Sequence, residues 1–317
     1  MARVRWVPVV DVSAPDAPTE IADACARVGF VTITGHGVAS QDTDAAWESA
    51  REFFDLPLAS KMAVAMPRPG YPYGYSPMAG ETLARSLGVG AAPDLKESFA
   101  IGPVDRPTHH IVDPDEDFAW SENLWPTDLP ALRVAWERYF REMADLAGRL
   151  LRLMAVGLGL PERHFDPLID RPTSAMRALN YPSRGDLGAI GADRLGASAH
   201  TDYGTLTILL ADPVQRGLEV QGTDGSWHGV DPVPGSFVVN LGDAMARWTN
   251  DRWRSTMHRV LVPSGRRQSI AFFHNANWDA VIECLPTCLA AGEVPKYAPI
   301  AAGPHLMQKF TSTVNTY

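Results

Sequence analysis

One spacing constrains this chain more than any other feature: His200-Thr-Asp202, then 55 residues, then His258. Two imidazoles and one carboxylate gathered on one face are the donor set of a non-haem ferrous centre, leaving open positions for oxygen and an organic ligand. On an extended strand the side chains at i and i+2 point the same way. If Ala199–Tyr203 is a strand, His200 and Asp202 face inward while Thr201 and Tyr203 face away. The third ligand must then come from a distant strand.

Nine residues beyond His258, Arg267-Gln-Ser269 repeats the i, i+2 relation at the start of an apparent strand, Ser269–Phe273. A planar guanidinium beside a hydroxyl is a receptor for a carboxylate, through charge-assisted hydrogen bonds in a fixed plane. It suits the far carboxylate of 2-oxoglutarate, whose near carboxylate and keto oxygen would chelate the iron. Tyr181, in Leu179-Asn-Tyr-Pro182, is a candidate phenolic partner for the same acid.

These motifs resemble the Fe(II)/2-oxoglutarate-dependent oxygenases of the isopenicillin N synthase-like family over nearly the whole sequence. The amino-terminal part carries Val7-Pro-Val-Val-Asp11, Gly29-Phe-Val-Thr-Ile-Thr-Gly-His-Gly37, Phe53-Phe-Asp-Leu-Pro57 and Asp94-Leu-Lys-Glu-Ser-Phe99. The carboxy-terminal part carries His200-Thr-Asp-Tyr-Gly-Thr-Leu-Thr207, Pro234-Gly-Ser-Phe-Val-Val-Asn-Leu-Gly-Asp243, Ser255-Thr-Met-His-Arg-Val260 and the Arg267/Ser269 pair.

The resemblance implies a mainly β fold with flanking helices, a double-stranded β-helix or jelly roll. It implies Fe(II) on His200, Asp202 and His258, and 2-oxoglutarate as cosubstrate on Arg267, Ser269 and Tyr181, with O2. The implied reaction oxidises a small organic molecule, hydroxylation being the default, with release of succinate and CO2, in a setting such as secondary metabolism. Family members draw substrate contacts from the amino-terminal region, which makes Glu81, Phe99 and Arg177 candidate substrate residues. In one place the chain departs from the pattern. Plant members often carry Asn two residues before the tyrosine, where this chain has Leu179, and Arg177 is the candidate polar replacement. Two alternatives stay open: a cosubstrate-free oxidase like isopenicillin N synthase, with Gln308 as the only glutamine of the tail, and a non-catalytic barrel binding a metal or small acid.

Composition narrows the partners. Lys plus Arg number 28 against 37 for Asp plus Glu, a formal charge of −9, with no basic run. That disfavours nucleic acid and anionic membranes and points to a free small molecule. Cys25, Cys284 and Cys288 make neither a disulfide framework nor a zinc set, so ordinary thiols are expected. The first residues have no apolar core of about 7–15 residues before a cleavage site, and no later run of ~18 apolar residues occurs. A cytoplasmic protein is predicted.

At 317 residues without a composition break, the chain reads as one catalytic unit in three stretches. These are an amino-terminal region at 1–110, a helical spacer at 111–174 and a jelly-roll core at 175–317. Helices are predicted over Pro18–Arg27, capped by Thr19, over Asp42–Phe54 and over Leu129–Leu160, whose apolar stripe belongs to the core. Met66–Gly80, rich in Pro and Gly, reads as a loop whose Tyr71, Tyr73 and Tyr75 pack on the body or face substrate. Charged residues around Glu81 and Lys96 are expected to face water. Short apolar runs at Ala175–Tyr181, Thr205–Leu210, Leu218–Gln221, Phe237–Leu241, Arg259–Val262 and Ser269–Phe273 supply the barrel strands.

Overall fold

A computed structural model describes residues 5–68, 70–83, 92–108, 110–191 and 194–313. Two sheets face one another, antiparallel except where β1 runs parallel to β2 at the edge of the larger. The larger has eight strands in the order β1-β2-β10-β7-β12-β5-β4-β3. These are β1 (Val9–Asp11), β2 (Phe30–Thr34), β3 (Gly74–Ser76), β4 (Glu97–Ile101), β5 (Ala175–Tyr181), β7 (Leu206–Leu210), β10 (Phe237–Leu241) and β12 (Arg267–His274). The smaller, ordered β6-β11-β8-β9, comprises β6 (Leu195–His200), β8 (Leu218–Gln221), β9 (Trp227–Gly229) and β11 (His258–Leu261). Short strands β13 (Val281–Ile282) and β14 (Ile300–Ala301) form a separate pair.

The large sheet is buried on both faces, so its strands read as near-continuous apolar runs rather than clean alternations. In β12, Ile270 and Phe272 enter the main core, whereas Arg267, Ser269, Ala271 and Phe273 line a cavity between the sheets. In β5, Met176 and Ala178 go to the core, and Arg177, Leu179 and Tyr181 to the cavity.

Helices α1 (Ala17–Arg27), α2 (Ser40–Asp55) and α5 (Pro130–Gly157) cover the core side. The stripe predicted on α5 is buried there, from Leu132 and Trp136 through Met143 and Leu150 to Met154. Burying each such side chain contributes about 1.5–3 kcal/mol. The helix ends in a Schellman turn: Gly159, at φ +72°, donates to the Val156 carbonyl and Leu160 to that of Ala155.

Three expectations need correction. Thr19 does not cap α1, because the helix starts at Ala17 after Asp16, with Pro18 in its first turn. The proline-rich loop contains a strand, β3, since Tyr75 pairs with Phe99 of β4. The strand carrying His200 stops at that residue, so strand alternation cannot be what orients Asp202. The remaining helices are α3 (Leu58–Met62), α4 (Pro114–Ala119), α6 (Asp243–Trp248) and the closing α7 (Ala302–Thr313). Among the described residues no helix is long and apolar enough to cross a membrane.

Candidate active site

The antiparallel pairing of β6 with β11 sets His200 directly opposite His258. Their ring centroids lie 4.3 Å apart. Asp202 comes from the turn after β6, and backbone bonds fix that turn. The amides of Asp243 and Ala244, at the start of α6, donate to the carbonyls of Asp202 (2.8 Å) and Tyr203 (3.2 Å). Gly204 and Gly242 permit this approach, since a Cβ on Gly242 would lie 2.2 Å from the Gly204 carbonyl oxygen. Thr201 and Tyr203, expected to face away, also reach the cavity wall.

Each ligand candidate has its far atom occupied. Nδ1 of His200 meets the Ser198 carbonyl at 2.7 Å and Nδ1 of His258 meets that of Thr256 at 3.1 Å. A carbonyl only accepts, so both Nδ1 atoms carry the proton and both Nε2 lone pairs point inward. Oδ2 of Asp202 accepts from Thr207 Oγ1 (2.6 Å) and Asn240 Nδ2 (2.7 Å). Its Oδ1 is 3.9 Å from His200 Nε2 and 3.8 Å from His258 Nε2. The three donor atoms lie within 4.8 Å of one another. Burial, with the nearby His258, lowers the His200 pKa to about 4, so this imidazole is neutral near pH 7. Burial alone would raise the Asp202 pKa, but His258, His200 and the bonds from Asn240 and Thr207 outweigh it. The set is two imidazole nitrogens and one carboxylate, converging on one point.

Across the cavity, Arg267 is 2% exposed and Ser269 1%. The guanidinium Nη1 lies 3.5 Å from Ser269 Oγ and the guanidinium carbon 4.9 Å from the ring centroid of Tyr181, its register partner. Its Nε is buried without a hydrogen-bond partner, and no ion pair reaches Arg267 among the described residues. A buried cation left so is costly unless a ligand completes it. The residues present therefore fit both groups: a divalent metal at the histidines and aspartate, and a carboxylate at Arg267.

The amino-terminal residues divide differently from expectation. Glu81 and Arg177 line the cavity, both Glu81 oxygens lying 2.9 Å from Arg177 Nη1. Phe99 does not line it. In β4 the odd residues Glu97, Phe99 and Ile101 turn to the helices, and Phe99 packs unexposed on Phe53 and Trp136. Its neighbours of opposite parity, Lys96 and Ala100, reach the cavity. Lys96, expected in water, is buried, with Nζ 3.3 Å from Glu81 and 3.5 Å from Asp94. The alternation of β4, carried back one residue through Lys96-Glu-Ser-Phe-Ala100, was the signal that could have found it. Tyr71 and Tyr73 also reach the cavity, whereas Tyr75 turns into the core. Helix α7 closes the mouth with Leu306, Met307 and Phe310, and Gln308 is not on the wall.

Comparison with known proteins agrees with this geometry. Residues 172–276 match the family described as the 2OG-Fe(II) oxygenase superfamily, and residues 7–128 that of the non-haem dioxygenase in morphine synthesis N-terminal region. The chain is 39% identical to the 2-oxoglutarate-Fe(II) type oxidoreductase hxnY of Emericella nidulans, over 89% of this chain and 80% of that one. It is 32% identical to the validamycin A dioxygenase of Streptomyces hygroscopicus subsp. limoneus, over 94% and 81%. A full-length Neurospora crassa protein solved in complex with alpha-KG and thymine superposes with a TM-score of 0.84 at 28% identity, over 98% of each chain.

Proposed function

Because this chain belongs to the 2OG-Fe(II) oxygenase superfamily, we propose that His200, Asp202 and His258 are its iron ligands and that Arg267, Ser269 and Tyr181 bind its cosubstrate. The chain is an Fe(II)- and 2-oxoglutarate-dependent dioxygenase. Iron(II) with 2-oxoglutarate and O2 supplies the oxidation of a substrate C–H bond, with 2-oxoglutarate leaving as succinate and CO2.

The chain's own residues do the rest. His200 Nε2, His258 Nε2 and Asp202 Oδ1 would hold the metal, with Thr256, Ser198, Thr207 and Asn240 fixing their orientation. Arg267 and Ser269 take the far carboxylate of the cosubstrate and Tyr181 lies beside it. Leu306, Met307 and Phe310 screen the cavity from water. The substrate is a small organic molecule, hydroxylated in a cavity of about 610 Å3. We read stretches 1–110, 111–174 and 175–317 as one catalytic unit, a reading supported by β1 to β4 sharing the large sheet with β5, β7, β10 and β12.

The observation that carries the cosubstrate assignment is the buried, unpaired Arg267 across the cavity from the convergent donors. Titrating 2-oxoglutarate against succinate release tests it. Arg267→Ala should raise the requirement about 30- to 1000-fold, the equivalent of ~2–4 kcal/mol. Ser269→Ala should cost about 0.5–1.5 kcal/mol, and Arg267→Lys should recover part of the Arg267→Ala loss. An Arg267→Ala protein with the wild-type requirement would remove Arg267 from the site.

A further inference from the structure

The cavity is electropositive inside an acidic protein. Its described charged lining is Arg68, Lys96, Arg177 and Arg267 against Glu81 and Asp202, while the whole chain carries a formal charge of −9. Iron(II) and the cosubstrate dianion would bring equal and opposite charge, so the cationic excess survives loading. Arg267 is committed to the cosubstrate, and Arg68 sits exposed at the rim. That leaves Arg177 and Lys96 as the inner cations open to a substrate, in a cluster of two cations with the two carboxylates of Glu81 and Asp94.

These two cations are incompletely satisfied. Arg177 is bonded to Glu81 through Nη1 alone, and neither its Nε nor its Nη2 donates to a described residue. Lys96 Nζ is buried with no hydrogen bond of normal length, only the two ion pairs at 3.3 and 3.5 Å. Asp94 cannot serve them fully, because it is already taken by the Ser198 amide and hydroxyl and the Leu83 amide. The register places the pair on a grid. Arg177 lies opposite Ala100 and Ala271, so only small side chains flank it on the sheet and leave room above the guanidinium. The wall of the same cavity also carries apolar and aromatic side chains, among them Tyr71, Phe118, Met307 and Phe310.

We propose that the substrate carries a carboxylate or comparable anionic group, held by Arg177 with Lys96 behind it, on an apolar body lying under α7. This rests on the oxygenase reading above and names the substrate class for the same cavity. Glu81 acts as an internal counter-ion that keeps the two cations in place and competes with the incoming anion.

The test uses the full chain loaded with Fe(II) and 2-oxoglutarate without oxygen. Labelled 2-oxoglutarate retention is measured by equilibrium dialysis, and binding of matched pairs by ligand-observed NMR. The pairs are 3-phenylpropanoate and 3-phenylpropanamide, cyclohexanecarboxylate and its amide, and octanoate and octanamide. In at least one pair the acid should bind 10- to 100-fold tighter, as expected of a charge-assisted contact. Arg177→Gln should remove that preference and keep 2-oxoglutarate retention, whereas Glu81→Gln should strengthen acid binding several-fold, which no folding defect would mimic. Acids no tighter than amides in every pair would overturn the proposal. So would an Arg177→Gln protein that loses 2-oxoglutarate as completely as Arg267→Ala, because the cations would then serve the cosubstrate. A wild-type protein that retains no 2-oxoglutarate would instead defeat the oxygenase reading on which the proposal rests.

Discussion

Two ion networks lie back to back across β4 and β5, a buried one facing the helices and a half-buried one facing the cavity. On the helix side, Glu97 Oε1 accepts from Asn180 at 2.7 Å, and its Oε2 from Tyr75 at 2.5 Å and Lys61 at 2.8 Å. Lys61 also donates to the Phe54 carbonyl. On the cavity side, Lys96 has only long ion pairs and Arg177 spends one nitrogen on Glu81. One network closes on the protein, whereas the other keeps donors in reserve. Residues one position apart in sequence, Lys96 and Glu97, thus belong to different tasks: the first to recognition, the second to holding the sheet against α2 and α3.

The comparison breaks most readily at Glu97. Glu97→Ala leaves the Lys61 ammonium buried without its carboxylate and should destabilise the fold by about 3–5 kcal/mol in urea unfolding. Lys96→Met should lose less than half as much, because Glu81 keeps Arg177 and Asp94 keeps Ser198 and Leu83. Equal losses would erase the distinction between the two networks.

A next effect lies at the metal-facing aspartate. Asn240→Ala removes one of the two bonds that turn Asp202 Oδ1 toward the histidines. Iron(II) affinity should fall about 10- to 100-fold with little change in urea stability. An unchanged affinity would mean that Thr207 alone orients the carboxylate.

The open network should also show itself in acid. Burial would raise the Glu81 pKa, but Arg177 and Lys96 more than offset this and hold it at about 2, below the ordinary 4.5. A depressed folded-state pKa gives stability that is complete above 4.5 and is lost as pH falls from 4.5 toward 2. Across that window wild type should lose about 1–2 kcal/mol more than Glu81→Gln, allowing for the screening felt by a partly exposed carboxylate. Parallel acid-unfolding curves would show that Glu81 is not held by the two cations.

The smallest effect belongs to Phe99. Phe99→Leu should cost no more than about 1.5 kcal/mol of stability and leave the acid-over-amide preference intact, since the ring lies in the core. A lost preference would return Phe99 to the substrate wall.

What was legible in sequence follows from how each region is built. The β5, β8 and β10 boundaries coincide with their predicted runs, because Gly, Pro and Asp punctuate them. The three convergent donors were legible because ligand chemistry demands rare residue types at fixed spacing. How Asp202 is aimed was not, since the strand ends at His200 and amides at the start of α6 take over. The amino-terminal wall was least legible. A charged residue ordinarily belongs in water, and only the parity of β4, carried one residue upstream of the strand to Lys96 and hidden by burial on both faces, separates Lys96 from Glu97 and Phe99 from Ala100.

The central claim is that the metal sits on His200, Asp202 and His258, and iron(II) stoichiometry tests it most directly. Anaerobic equilibrium dialysis of wild type should give one iron per chain. The double variant His200→Ala/His258→Ala should bind none above buffer while melting, metal-free, within a few degrees of metal-free wild type, as expected when two imidazoles are lost from a cavity wall. A folded double variant that still binds one iron per chain would place the metal elsewhere and contradict the account.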